Sequence, residues 1–356
     1  MWAKSEVIRK FIVDNVESHP KDIARLTTEQ FSISRQAVNR HIKTLIEDGV
    51  INAVGNTKER VYSLRVDTKR FSLPLAENKE EDRVWHDHIS PLLTGYKENI
   101  INICYYGFTE MFNNAIDHSE GTDAIVNLRW SAKTIHLSIS DNGIGIFEKL
   151  KSRFNLADHR EAVLELSKGK LTTDPSNHSG QGIFFTSRMF DRFSIRSDQL
   201  FFDHEKEDDD WLIETSPRDD PGTLVFMEIA ADTRRTAKEV FDKYSDLESD
   251  DYAFSKTRVP LSLARYDEEQ LVSRSQAKRV LARFERFQEV LLDFKGVESI
   301  GQAFADEIFR VFRRTNPGIK IIAIRANKAV TQMIKRAESP LNLPSSPPEE
   351  RTGSKT

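Results

Sequence analysis

The chain has 356 residues, 52 Lys+Arg against 56 Asp+Glu, one Cys and 38% hydrophobic residues, a length that gives two or three domains their own cores. A mean hydropathy of -0.52 with no long charge-free apolar run excludes a membrane span, and a lone Cys104 excludes a disulfide scaffold and any Cys-rich zinc site. No basic, apolar leader follows Met1, so a soluble cytoplasmic chain is expected.

The net charge of -4 is a cancellation. Residues 1–66 carry +3, residues 67–255 carry -14 and residues 256–335 carry +7, which points to separate domains with different partners. Val7, Ile8, Phe11 and Ile12 recur at helical spacing, His19-Pro20 breaks that helix, and residues 21–31 read as a second short one. Ser34 stands where a cap is needed for a third helix ending at Asp48-Gly49. Val38, Ile42, Leu45 and Ile46 form its inner stripe, which leaves Arg35, Gln36, Asn39, Arg40 and Lys43 on the outer face. Residues 50–54 and 60–64 are short strands around Gly55-Asn56, a hairpin signal. Three helices followed by a hairpin, over residues 3–65, resemble the winged helix-turn-helix regulators of transcription. Arg pairs with a guanine edge and Asn or Gln with adenine, so the outer face suits the DNA major groove. A solvated face on a protein-binding winged helix is the alternative.

Residues 67–82 read as a polar linker, and an amphipathic segment over 83–93 opens a middle domain over 83–232. Its His86 and His88 are two apart and point different ways on a helix, so no metal is expected there. Residues 97–118 form a long helix with Glu110, Asn114 and Asp117 at i, i+4 and i+7, on one face. Alternating strands follow at 124–130 and 134–140, with Ile135, Leu137 and Ile139 inward. The second ends in Asp141-Asn142-Gly143-Ile144-Gly145, whose glycines permit positive φ and close approach of a flat ligand. Ser179-Gly180-Gln181-Gly182 opens a helix over 183–190, placing free N–H groups and a positive dipole end toward an anion. A last apolar strand starts at Gly222-Thr223, and the acidic run 203–210 reads as a solvated hairpin tip.

In that order, Glu110-x-x-x-Asn114, Asp141-x-Gly143-x-Gly145, Gly180-x-Gly182 and Gly222-Thr223 resemble the four boxes of the Bergerat-fold (GHKL) ATPases. The resemblance implies an α/β sandwich with a mixed sheet that binds ATP and Mg²⁺. It implies that Asp141 accepts from the adenine amino group, with Thr223 supporting it, and that Asn114 and Asp117 sit near the metal and phosphates, Asn114 holding Mg²⁺. Gly143 and Gly145 shape the base pocket, Gly180, Gln181 and Gly182 cradle the phosphates, and Glu110 orients or deprotonates the nucleophile. It also implies a lid over 147–179 carrying Lys168 and Lys170 and closing with Asp174-Pro175-Ser176, and a possible homodimer. Histidine kinases of this superfamily have Asn where Glu110 stands, so a hydrolase or a hydroxyl-directed kinase is favoured, the hydrolase first.

Residues 233–256 read as a second linker, 257–336 as a small third domain and 337–356 as a disordered Pro- and Ser-rich tail. The third domain alternates strand 259–264, helix 271–287, strand 289–294, helix 301–314, strand 319–324 and helix 327–334, a βαβαβα order that predicts a small parallel or mixed sheet. The stretch Leu291 to Ile300 resembles the STAS domains, and more closely the STAS-like DUF4325 family. Anti-anti-sigma STAS domains carry a phosphorylated Ser at the start of the next helix. Here Gly301-Gln302-Ala303-Phe304 has none and Ser299 is displaced. The whole reads as a multidomain α+β protein, an ATP-dependent regulator of DNA binding or partner docking. A Ser/Thr kinase of the anti-sigma type, or an ATPase subunit of a defence or repair complex, is the alternative.

Overall fold

The computed structural model describes residues 2–56, 59–171, 180–205, 209–215, 221–246, 254–265 and 269–339. The expected Asp174-Pro175-Ser176 turn, Ser179, the centre of the acidic run and residues 340–356 of the tail lie outside them. Among the described residues the chain is a mixed α/β protein with three sheets and two hydrophobic cores.

Helices α1 (Trp2–Asn15), α2 (Ile23–Phe31) and α3 (Arg35–Glu47) pack around the first core. Ser34 caps α3 by accepting from the Ala37 N–H at 3.2 Å, as its position predicts. Strands β1 (Ile51–Val54) and β2 (Val61–Leu64) pair antiparallel with Ile51 opposite Leu64, and both ends of that pairing are buried with Val38, Ile42 and Leu45. Gly55 takes φ +87 at the turn, where a side chain would meet the Glu59 carbonyl.

The expected linker over 67–82 is corrected. Its first half is strand β3 (Asp67–Pro74), which pairs antiparallel with β4 (Asp123–Trp130) and forms one edge of a seven-stranded sheet. Lys69, Arg70 and Pro74 are exposed on it, and charges and proline are how an edge strand discourages further pairing; only Phe71 and Leu73 betray the strand by alternation. The chain then enters α4 (Glu81–Val84), whose helical turns continue through Trp85–Ile89, before α5 (Glu98–His118). β4, β5 (Thr134–Asp141), β9 (Thr223–Ala230), β6 (Arg192–Ser197), β7 (Leu200–Glu205) and β8 (Asp209–Glu214) complete the sheet in that spatial order, all neighbours antiparallel, which corrects the mixed sheet expected of the middle domain. β9 alternates buried and half-buried residues along its length; α5 packs on β5 and β9, α8 (Gly182–Met189) on β6, and α9 (Ala237–Tyr244) against α5 and α8. α6 (Ile146–Phe154) and α7 (His159–Lys168) stand between β5 and α8 in the chain.

Two further expectations change here. The acidic run is not a solvated tip at its ends: Asp203 is buried against Arg192, and His204 and Asp210 are buried as a hydrogen-bonded pair at 2.7 Å. The second linker contains α9, started by a Thr236/Glu239 capping box and packed through Phe241 on Phe185 and Tyr106.

The third sheet is parallel, in the order β10 (Lys256–Pro260), β11 (Glu289–Asp293) and β12 (Lys320–Ile324). It is crossed by α10 (Arg274–Leu281), by α11 (Gln302–Asp306) running on into α12 (Arg313–Thr315), and by α13 (Lys328–Glu338). The helix expected over 271–287 stops at Leu281 because Arg283 turns left-handed at φ +64. The strand expected over 259–264 sits earlier, and Leu261–Ala264 is a helical turn. Asp293, at the end of β11 and 1% exposed, is gripped by Arg258 of β10 and by Arg325, which follows β12. The core of this sheet is continuous with that of the seven-stranded sheet, through Phe254 against Phe184, Phe185 and Phe287.

Candidate functional site

β5 and β9 run antiparallel with Ser140 opposite Leu224, so Asp141 at the end of one lies beside Thr223 at the start of the other. Asp141 is buried, and its Oδ1 accepts from the Gly143 N–H at 2.9 Å and the Thr223 N–H at 3.2 Å. The Thr223 hydroxyl oxygen in turn accepts from the Ile146 N–H at 3.0 Å, tying the first turn of α6 to β9. Gly222 at φ +107 makes this possible, since a Cβ there would collide with the Asp141 carbonyl. Gly143 is needed for the same reason, with the Ser119 carbonyl against it.

A cavity of about 240 Å³ opens over these residues. One wall is α5, through Glu110, Met111, Asn114, Ala115 and His118. The floor is β5 and β9, through Ile139, Asp141, Thr223 and Val225. α6 contributes Ile146, Lys149 and Leu150, and the far end is closed by Leu166, Leu171, Gly180, Gly182 and Ile183. Glu110 lies directly against the start of α8, so that any side chain at Gly182 would strike its carboxylate. The Tyr106 hydroxyl is hydrogen-bonded to Glu110; burial first, and then the Glu110 charge, push that phenol far above its usual range and keep it protonated. Asn114 Nδ2 contacts Met111 Sδ at 3.9 Å. Lys149 reaches Glu120 at 2.9 Å across the rim.

The structure therefore brings Glu110, Asn114, Asp141, Gly180, Gly182 and Thr223 to one cavity. Gly143 and Gly145 shape it from behind: Gly145, at φ +86, precedes α6 and aims Ile146, Lys149 and Leu150 inward. Gln181 sits at the entry to α8, half-buried and outside the lining. Asp117 is corrected. It is exposed and does not line the cavity, to which this part of the chain gives residues 110, 111, 113–115, 118 and 119. Lys149, Leu150, Leu166, Leu171 and Ile183 escape the sequence reading because they belong to no box; only the i, i+3, i+4 spacing of Ile146, Lys149 and Leu150 signals a shared face.

At the other end of the molecule, Arg35, Gln36, Asn39, Arg40 and Lys43 are all exposed along α3, on the face opposite its buried stripe. Val54 in the hairpin is 71% exposed beyond them. His41 is held below its usual range by partial burial and by Arg9 and Arg40 nearby.

The sequence profile of a family described as a STAS-like domain of unknown function (DUF4325) matches residues 276–331. That span runs from α10 into α13 and includes β11 and β12. None of the curated proteins matches the chain. Among the described residues, no helix is long and apolar enough to cross a membrane.

Proposed function

We propose that the chain is a cytoplasmic ATP-binding regulator in which a GHKL-type nucleotide site, flanked by a winged helix-turn-helix and a STAS-like domain, controls DNA binding or partner docking. The observation that carries this is the meeting of four sequence-distant segments, around residues 110–114, 141–145, 180–182 and 222–223, at a single cavity. Asp141 receives the adenine amino group, supported by Thr223. The first N–H groups of α8 receive phosphate oxygens, where the helix dipole favours an anion. Asn114 offers a hard oxygen donor on the cavity wall, the ligand type that Mg²⁺ takes beside phosphates. Mg²⁺ supplies charge neutralisation on the phosphates when bound. Glu110, fixed by the Tyr106 hydroxyl, holds the attacking water or hydroxyl and takes its proton. The exposed basic and amide stripe of α3 reads the DNA major groove.

A hydroxyl-directed kinase is the second reading, favoured by the STAS-like match. The start of α11 carries no hydroxyl at Gly301 or Gln302, so the acceptor is a separate protein. ATP labelled on its γ-phosphate separates the readings. Label released as inorganic phosphate, and lost in Glu110→Ala with ATP binding retained, is the expected result. Label on a protein supports the kinase, and turnover unchanged in Glu110→Ala removes Glu110 as the base.

A further inference from the structure

Arg283 belongs to the STAS-like domain, yet its side chain leaves that domain. Its Nη1 donates to Glu165 Oε2 on α7 at 2.6 Å, and its guanidinium lies 4.8 Å from the centre of the Phe154 ring on α6. These are the two helices that supply the cavity with Ile146, Lys149, Leu150 and Leu166. Glu165 is 2% exposed and is shared with Lys168, itself 1% exposed, whose Nζ donates onward to the carbonyls of Arg279 and Ala282 at 3.2 and 3.0 Å. A lysine this buried persists only when paired and hydrogen-bonded. Here the groups that satisfy it come from both domains.

The backbone reinforces the point. Arg283 holds φ +64, a conformation that favours glycine and that a bulky residue keeps only where the surroundings over-determine it. Glycine at this position would serve the turn better, and it would lose both contacts to α6 and α7. Resting on the nucleotide-site reading, we infer that Arg283 is a positioning residue for the cavity, through which the STAS-like domain sets how tightly α6 and α7 hold a bound nucleotide. A change in that domain that withdraws Arg283 loosens the wall and speeds nucleotide exchange.

The test is the dissociation rate of a fluorescent ATP analogue, chased with excess ATP, from the full-length wild type, Arg283→Gly and Arg283→Lys. Arg283→Gly relaxes the backbone but takes the guanidinium from buried Glu165, so its melting temperature falls while dissociation rises roughly tenfold, the scale of one charged hydrogen bond. Arg283→Lys keeps a charge toward Glu165 without the planar stack and falls between the two. A wild-type rate in Arg283→Gly overturns the inference. A wild type that binds no analogue sinks the nucleotide reading instead, and hydrogen exchange then decides the positioning role without ligand: faster exchange of the α6 and α7 amides in Arg283→Gly supports it, and unchanged exchange overturns it.

Discussion

The two modules that flank the seven-stranded sheet are attached in opposite ways. The N-terminal one has its own core, from Ile8 to Leu64. It joins the sheet through the short run from Leu64 into β3, and its ion pairs to the middle domain, Lys10 with Asp232 and Glu17 with Lys133, are exposed. The STAS-like domain shares its core with the sheet, and its ties to α7 are buried: Lys168, Glu165 and the Thr257 hydroxyl, which donates to the Lys168 carbonyl at 2.6 Å. Exposed pairs contribute little and are screened by salt, whereas buried apolar and charged contacts resist separation. The first module is thus a separately cored unit, and the second is packed on the helix that carries part of the cavity lining.

The sharpest way to break this contrast is Phe254→Ala. It empties the point where Phe184, Phe185 and Phe287 meet and should cost about 3–5 kcal/mol. In urea, Trp85 and Trp130 fluorescence and the far-ultraviolet signal of the STAS-like domain should shift together in one transition; a STAS-like domain that melts alone would refute the shared core. Acid gives a smaller effect. Burial alone would raise the Asp293 carboxyl, but Arg325, the Lys295 N–H and Arg258 outweigh it and hold it below its ordinary value. A depressed folded pKa gives stability that is present above the unfolded value, about 3.9, and is lost as pH falls below it. The urea midpoint of the shared-core transition should therefore decline from about pH 5 downward, and a midpoint flat to pH 2.5 would contradict that. The smallest effect is Lys10→Ala, under about 1 kcal/mol on global stability. Hydrogen exchange should show the N-terminal core unchanged, and a large loss there would mean the module leans on the sheet.

Parts of this arrangement were legible in the sequence. Ser34 announced α3, the period of 3.6 separated Arg35, Gln36, Asn39, Arg40 and Lys43 from the buried stripe, and Asp141 and Thr223 stood at strand ends where glycines demanded tight turns. The two supposed linkers failed for opposite reasons. β3 is an edge strand, whose charges and proline mimic a connector. α9 is only eight residues long, although Thr236-x-x-Glu239 carried the capping signal. The stop at Arg283 was invisible because a glycine usually marks a left-handed residue and none stands there. The cavity wall from Leu150 to Leu171 was hidden because apolar lining residues resemble ordinary core in a sequence.

The proposed nucleotide site is tested most directly by calorimetric titration of ATP, with Mg²⁺, into the full-length protein and its Asp141→Asn variant. Saturable one-to-one binding by the wild type, abolished in Asp141→Asn, is the predicted result. A wild type that takes up no ATP, or an Asp141→Asn variant that binds as tightly, would contradict the account.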